Sequence, residues 1–171
     1  HGIIASALFI IVGVLQEKFG TRDLENFRGL RDVMPVLYGT FMLITMAALG
    51  LPGLNGFVGE FLILVGVWTS DAFAGYSGVY VLMGGLAIIF ASIYMLYFFQ
   101  GTMQEKNSNL PKDLKDIDEK DFRLLIPACI LIIIIGLYPK PFVEKISGSA
   151  QYVLSVEKTV GLPKDSSSGR H

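Results

Sequence analysis

The stretch "GLPGLNGFVGEFLILVGVW", residues 50–68, decides the fold because it sets helix-breaking residues and one carboxylate inside an apolar segment. That segment runs from Pro35 to about residue 70, and as one straight helix it would be about 54 Å long. The hydrocarbon core of a bilayer is only about 30 Å thick, and two complete crossings would each need about 20 residues. The lengths therefore predict one discontinuous transmembrane helix.

The residues of the predicted break are Gly50, Pro52, Gly53, Asn55 and Gly56. The proline lacks a backbone N–H group, and the glycines permit backbone dihedrals that other residues avoid. Non-helical backbone at membrane depth is tolerated only where protein or water surrounds it. We therefore expect the break to lie in the interior of a helix bundle.

The composition predicts an all-α integral membrane protein. Hydrophobic residues make up 52% of the 171 residues and charged residues 17%, with a mean hydropathy of +0.55, whereas soluble domains carry about 25% charged residues. The apolar segments predict four transmembrane segments within a bundle of residues 1–141, followed by an extramembrane tail, 142–171, that begins with a surface helix and ends disordered. The segments are 2–15, 35–70 (broken), 76–103 and 122–138.

Two further features concern the ends and the loops of the chain. The first segment begins at His1 and is shorter than a full span, so we expect the chain to be the C-terminal part of a longer protein.

Lys and Arg residues are concentrated in the loops 17–34 and 104–121 and are absent from the loop 70–75. The positive-inside rule places the first two loops on the cytoplasmic side. A net charge of −1 gives no reason to expect nucleic acid as a partner.

Glu60 is the main candidate for a functional residue. An ionisable side chain within a span costs about 2.5–3.5 kcal/mol, so its retention favours a functional role. A carboxyl group beside an opened backbone, with room for water, is what a proton or cation relay requires. Two other interpretations stay open from position alone: an acid that reaches the membrane interface, and a structural ion pair with a basic residue elsewhere in the protein.

His1 is the second candidate, because imidazole binds and releases protons near neutral pH; a packing or hydrogen-bonding role remains an alternative. The Thr40 and Thr45 hydroxyls can hold water or donate to the preceding helical turn.

Cys129, the single cysteine, has no His or Cys nearby and is interpreted as a small core residue. The sequence therefore predicts neither a metal site nor a cofactor site in this chain.

Three segments together resemble a known family. "HGIIASALFIIVGVL", "LPGLNGFVGEFLILVG" and "IIFASIYMLYFFQGTM" are similar to the C-terminal third of the antiporter-like membrane subunits of respiratory complex I, the NADH:quinone oxidoreductase. Glutamate at the position of Glu60 resembles the M-type chains (the mitochondrial subunit-four type), whereas the other antiporter-like chains generally have lysine there. The resemblance implies a discontinuous helix at this place, a proton-transfer role for Glu60 in the distal half-channel, and a place for His1 on the central hydrophilic axis.

The resemblance also implies the cofactors and partners. NADH, flavin, iron–sulfur clusters and quinone would be bound elsewhere in the complex, and this chain would contact the lipid bilayer and other membrane-arm subunits. Its location would be an energy-coupling membrane, the inner membrane of a bacterial cell. The alternatives are a subunit of a related hydrogenase, a Na+/H+ antiporter complex, and a structural membrane scaffold.

Overall fold

The computed structural model describes residues 1–23, 27–105, 110 and 114–160, and within these ranges the regular structure is helical. The predicted all-α class is confirmed for this part of the chain. Two short 3-10 turns, Leu30–Asp32 and Asp71–Phe73, lie in the connections. The α-helices are α1 (Gly2–Phe19), α2 (Pro35–Ala48), α3 (Asn55–Thr69), α4 (Ser77–Met103), α5 (Glu119–Leu137) and α6 (Lys140–Val160).

Two of the described helices, α1 and α4, are each long and apolar enough to cross a membrane. A third crossing is reached by counting α5 together with the first part of α6. The helices α2 and α3 have 14 and 15 residues, which is too short for a complete crossing by either alone, since a span needs about 20 residues.

Several helix ends differ from the predicted ones. Helix α1 continues through the charged residues Glu17 and Lys18, and it ends where Gly20 takes a left-handed conformation with φ of 68°. Helix α5 begins at Glu119, since the acidic side chains of Glu119 and Asp121 are favourable in the first turn of a helix. The expected helix of the tail is present as α6, and the predicted disordered end, 161–171, lies outside the described residues.

The chain forms two compact units that divide after Leu137. In the first unit, α1, α2, α5 and the end of α4 enclose the core, where Phe41 packs edge-to-face on Phe98 and Phe99. Helix α3 contributes no fully buried residue to this core. The largest fully buried side chains are Phe41, Ile11, Leu15, Leu30, Met34, Leu37, Ile44, Met103, Leu125 and Ile132.

The connections α1–α2 and α4–α5 meet at one end of this unit. The Lys18 ammonium group donates to the Asp116 backbone carbonyl at 3.1 Å, and Arg28 pairs with Glu105 at 2.7 Å. The Asp116 carboxylate also accepts the N–H groups of Val36 and Leu37, at 2.7 and 3.2 Å. It therefore caps the first turn of α2, whose leading N–H groups have no partner within the helix.

Helices α3 and α4 form an antiparallel hairpin that turns at the other end. Leu64 lies against Gly84, and Trp68 lies against Gly78. The end of α4 lies beside the start of α2, at the end of the unit where Asp116 caps α2. Since α3 runs antiparallel to α4 and finishes beside the start of α4, α3 finishes at the opposite end of the unit. The two short helices thus follow one another from one end of the unit to the other.

Candidate functional site

Helix α2 ends because of the sequence around Gly50. The Gly50 N–H donates to the Ala47 carbonyl at 3.2 Å, and the Leu51 N–H donates to the Met46 carbonyl at 3.3 Å. This pair of bonds is the Schellman motif, which requires a left-handed residue and therefore favours glycine. Gly50 occupies that place with φ of 66°. Helix α2 therefore ends here and does not continue through a bend.

The polypeptide turns through Leu51–Leu54 before α3 begins. Gly53 has a second positive φ, 93°, and the Leu54 N–H donates to the Leu51 carbonyl at 3.1 Å. Helix α3 starts at Asn55, so Asn55 and Gly56 lie in its first turn. The sequence-based prediction that these two residues belong to the break is therefore wrong. The first N–H groups of a helix have no acceptor within the helix, and the apolar side chain of Leu54, which precedes α3, provides none.

The Glu60 carboxylate lies against Gly50. A Cβ atom at Gly50 would overlap Oε2 and lie 3.0 Å from the Cδ atom of Glu60. Side chains on a helix tilt towards its N-terminus, so Glu60, the sixth residue of α3, extends back towards the break. The glycine at position 50 therefore both closes α2 and leaves room for the acid.

The Glu60 carboxylate is half-buried and forms no hydrogen bond or ion pair with any residue in the described part of the chain. Its surroundings in α3 are glycine and apolar side chains. A carboxyl group in such surroundings can change between its neutral and charged forms without breaking a salt bridge, and this is the chemical property that distinguishes the site.

Helices α1 and α5 cover one side of the break. Gly136 of α5 packs directly on the backbone of Gly53 and Leu54, and a Cβ atom there would overlap both residues. Gly56 packs on the carbonyl of Ala47, with Ile4 of α1 beside it. The sequence did not identify Gly136, because nothing in a uniformly apolar segment indicates which glycine another backbone approaches.

The other side of the break is exposed to solvent in the described unit, although the sequence predicted a location in the interior of a helix bundle. Leu51 and Pro52 are exposed, and Gly53 and Leu54 are half-buried. The physical reason is that α3 lies at the edge of the described unit, where α1 and α5 cover it from one side. Within the described unit, the break is therefore enclosed on one side.

His1 is exposed at the start of α1, and its imidazole has no described contact with Glu60. Its backbone carbonyl accepts the Ala5 N–H at 2.9 Å, and Ile4, one turn further, lies beside Gly56. The structure thus brings Gly50 and Glu60 together, and it places His1 on the helix that flanks the break.

Two buried oxygen atoms near the break also distinguish the site. Thr45 Oγ1 and Asn55 Oδ1 are shielded from solvent and have no hydrogen-bond partner among the described residues. Across the same ranges, no group of three His, Cys, Asp or Glu side chains is arranged to hold a metal ion, and Cys129 is half-buried in α5.

Comparison with known proteins shows what this chain is similar to. Residues 1–84 match the family described as "NADH:quinone oxidoreductase/Mrp antiporter, TM". The chain is 34% identical over 155 residues to NADH-quinone oxidoreductase subunit M of Rickettsia conorii, covering 90% of this chain and 30% of the relative. It is 32% identical over 157 residues to NADH-ubiquinone oxidoreductase chain 4 of Chondrus crispus, covering 91% of this chain and 31% of the relative.

A solved structure is similar as well. One chain of respiratory complex I from Thermus thermophilus with bound NADH superposes with a TM-score of 0.69 at 28% identity, over 80% of this chain and 27% of that one. The chain thus spans less than a third of the length of the relatives it matches. These findings confirm the resemblance to the antiporter-like membrane subunits of NADH:quinone oxidoreductase.

Proposed function

We propose that this chain, as a homologue of part of the antiporter-like subunits of NADH:quinone oxidoreductase, helps to carry protons across an energy-coupling membrane. The observation that carries the proposal is the Glu60 carboxylate, which lies against the helix-terminating Gly50 and is unpaired within the described residues. An ionisable group at such a place is costly in a membrane, so its retention favours a functional role.

The topology we infer has four crossings, of which the second is discontinuous. Because α2 starts at one end of the unit and α3 finishes at the other, the pair would make one crossing, with the break inside the membrane. The basic connections 17–34 and 104–121 would face the cytoplasm of a bacterial cell, since Lys and Arg are enriched on that side.

In this mechanism Glu60 binds a proton from one side of the break and releases it towards the other. The uncapped carbonyl and N–H groups of a discontinuous helix can hydrogen-bond water, which the interior of a continuous helix cannot do. Gly50 keeps space for the carboxylate beside those groups. His1, on the helix that flanks the break, is proposed as a further proton-binding group.

The driving reaction would take place elsewhere in the assembly. We infer that NADH oxidation and quinone reduction, with their flavin and iron–sulfur clusters, belong to other subunits, and that the exposed faces of α3 and α4 contact lipid or neighbouring membrane-arm helices. The contribution of this chain is then to bind, hold and pass on protons.

The test is a substitution series at Glu60 in the assembled complex, with proton pumping measured in reconstituted vesicles and normalised to assembled complex on native gels. Glu60→Gln keeps the size but cannot titrate near neutral pH, so pumping should fall by about tenfold or more. Glu60→Asp should retain more activity because it keeps the acid. Glu60→Lys should retain part of it if titration matters more than the sign of the charge.

If the chain is only a structural scaffold, the Glu60 variants should change the amount of assembled complex and not its proton pumping. If Glu60 only pairs with a basic residue elsewhere in the protein, Glu60→Gln would leave that residue unpaired and reduce assembly, while the assembled fraction would pump normally. Wild-type pumping by a fully assembled Glu60→Gln variant would also contradict the proposed function.

A further inference from the structure

The junction of α2 and α3 carries a polar feature that the role of Glu60 does not explain. Thr45 is fully buried, and neither its Oγ1 atom nor the buried Oδ1 atom of Asn55 has a partner among the described residues. Buried polar atoms nearly always form hydrogen bonds, to protein or to ordered water. Two such atoms near one break therefore call for a common explanation.

Thr45 differs from the other threonines of α2, α3 and α4. Thr40, Thr69 and Thr102 each donate to the carbonyl four residues earlier, at 2.8, 2.9 and 2.9 Å respectively. This bond is the usual one for a threonine within a helix. The Thr45 hydroxyl does not form it, so both its proton and its lone pairs are available to another group.

The two oxygen atoms belong to helix ends that contact each other. Thr45 lies two residues before Ala47, and Asn55 directly precedes Gly56, and the Ala47 carbonyl packs against Gly56. The Thr45 backbone carbonyl accepts the Leu49 N–H at 2.9 Å. The Thr45 hydroxyl has no partner among the described residues, so it is the polar group of this residue that remains to be satisfied. A hydroxyl, which both donates and accepts, and an amide oxygen, which only accepts, thus belong to two helix ends in contact.

We propose that Thr45 and Asn55 together bind an internal water molecule at the junction of α2 and α3. The water would donate one hydrogen bond to Asn55 Oδ1 and accept one from Thr45 Oγ1, which satisfies both atoms, and buried waters typically form about three hydrogen bonds. Its second proton remains available to a further acceptor at the break. Thr45 and Asn55 are then positioning residues that keep a proton-conducting molecule near Glu60, a role that rests on the proposed function, whereas the water site itself does not.

The water site is tested by a density map of the full-length protein in its complex, at a resolution that shows ordered water. We expect density within hydrogen-bonding distance of both Thr45 Oγ1 and Asn55 Oδ1. Thr45→Val has nearly the same shape but no hydroxyl, so the density should disappear. Thr40→Val is the matched control, because Thr40 lies on the same helix with its hydroxyl already bonded to Val36, and it should keep the density.

Three outcomes would overturn the site. One is a side chain from elsewhere in the protein that bonds both atoms directly; another is a Thr45 hydroxyl that donates to the Phe41 carbonyl, with no density between the two residues. The third is density with several oxygen ligands at about 2.4 Å, which would identify a cation such as Ca²⁺ and not water.

The role of the water is tested by proton pumping in the same variants. Thr45→Val should pump about fivefold more slowly than wild type, the effect of losing one hydrogen bond of ordinary strength, while Thr45→Ser and Thr40→Val should pump normally. Normal pumping by Thr45→Val without the density would refute the positioning role. Normal pumping by Glu60→Gln with the density present would refute the proposed function and leave the water site standing.

Discussion

At the scale of single residues, Gly50 performs two tasks that no other residue type combines. Its positive φ closes α2, and its missing side chain leaves room for the Glu60 carboxylate. Any other L-residue would be strained in this conformation and would also displace the acid. The glycine and the glutamate therefore form one structural unit, although ten positions separate them in the sequence.

Replacing Gly50 with alanine should separate these two tasks. Gly50→Ala adds the strain of a left-handed alanine, about 1 kcal/mol, and pushes the Glu60 carboxylate away. Gly20→Ala is the control, because Gly20 has a similar φ of 68° but no atom within 4 Å of its would-be Cβ. We expect both variants to lose similar thermal stability and only Gly50→Ala to lose proton pumping; equal pumping by both would contradict the assigned contact.

The sequence indicated Glu60 as a candidate functional residue and Gly50 as part of the helix break, because an acid and a helix breaker both stand out in an apolar segment. The free hydroxyl of Thr45 could not, since threonine in a helix usually donates to the preceding turn. Asn55 and Gly56 were assigned to the break, and the structure places them in the first turn of α3. Helix starts are hard to locate because the same residues suit both a turn and a first helical turn.

At the scale of elements, the close approach of α5 holds the break in place. Gly136 lets the backbone of Gly53 and Leu54 lie directly on α5. The irregular turn therefore rests on a helix surface and not on other loops. This contact fixes where α3 begins, and with it the position of Glu60.

Gly136→Ala should weaken this packing. The added methyl group would overlap backbone atoms that cannot rotate away, and such overpacking costs about 1–3 kcal/mol. Gly85→Ala, in α4 with open space around it, should be neutral or stabilising by up to about 1 kcal/mol. Thermal unfolding of the full-length protein in detergent measures both, and equal midpoints for the two variants would contradict the packing described.

Asp116 provides the second element-scale contact, from a loop to the first turn of α2. The two Asp116 carboxylate oxygens each accept one N–H group, from Val36 and from Leu37. Asp116→Asn removes the charge and turns one of these oxygens into an NH₂ donor, so one hydrogen bond of the cap is lost at a cost of about 1 kcal/mol. The exposed neighbour Asp118 is a suitable control, because its side chain forms no hydrogen bond within the described residues. If Asp118→Asn lowers the unfolding midpoint as much as Asp116→Asn does, general charge and not capping explains the effect.

At the scale of the whole molecule, the first unit has two chemically different ends. The charged connections 17–34 and 104–121 meet at one end through Lys18–Asp116 and Arg28–Glu105. The α3–α4 turn at the other end carries Trp68, Tyr76 and Tyr80, all more than half exposed, as is typical of aromatic residues at a membrane interface. This polarity supports the direction across the membrane that we propose.

Cysteine labelling of the full-length protein in sealed vesicles tests that direction. After Cys129 and any cysteine elsewhere in the full-length protein are replaced by Ser, Asp32→Cys and Ala74→Cys place single exposed thiols at the two ends. A membrane-impermeant reagent should label Ala74→Cys from outside in right-side-out vesicles and Asp32→Cys only in inverted ones. Labelling of both thiols from the same side would rule out the single discontinuous crossing by α2 and α3.

The sequence predicted the helical class and the interruption near residue 50, because chain length and apolar runs constrain both directly. The contacts that arrange the helices were not predictable: Asp116 is separated by 80 positions from the N–H group of Val36 that it accepts, and no local pattern links them. The partly open side of the break was also not anticipated, since burial depends on neighbouring helices and not on the segment itself.

The central claim is that Glu60 changes its protonation state during turnover, and infrared difference spectroscopy of the assembled complex measures this directly. Turnover should produce a protonated-carboxyl band that appears and disappears with the reaction, that shifts in D₂O, and that is absent from the Glu60→Gln variant at equal assembly. Difference spectra that are identical in wild type and Glu60→Gln would contradict the claim.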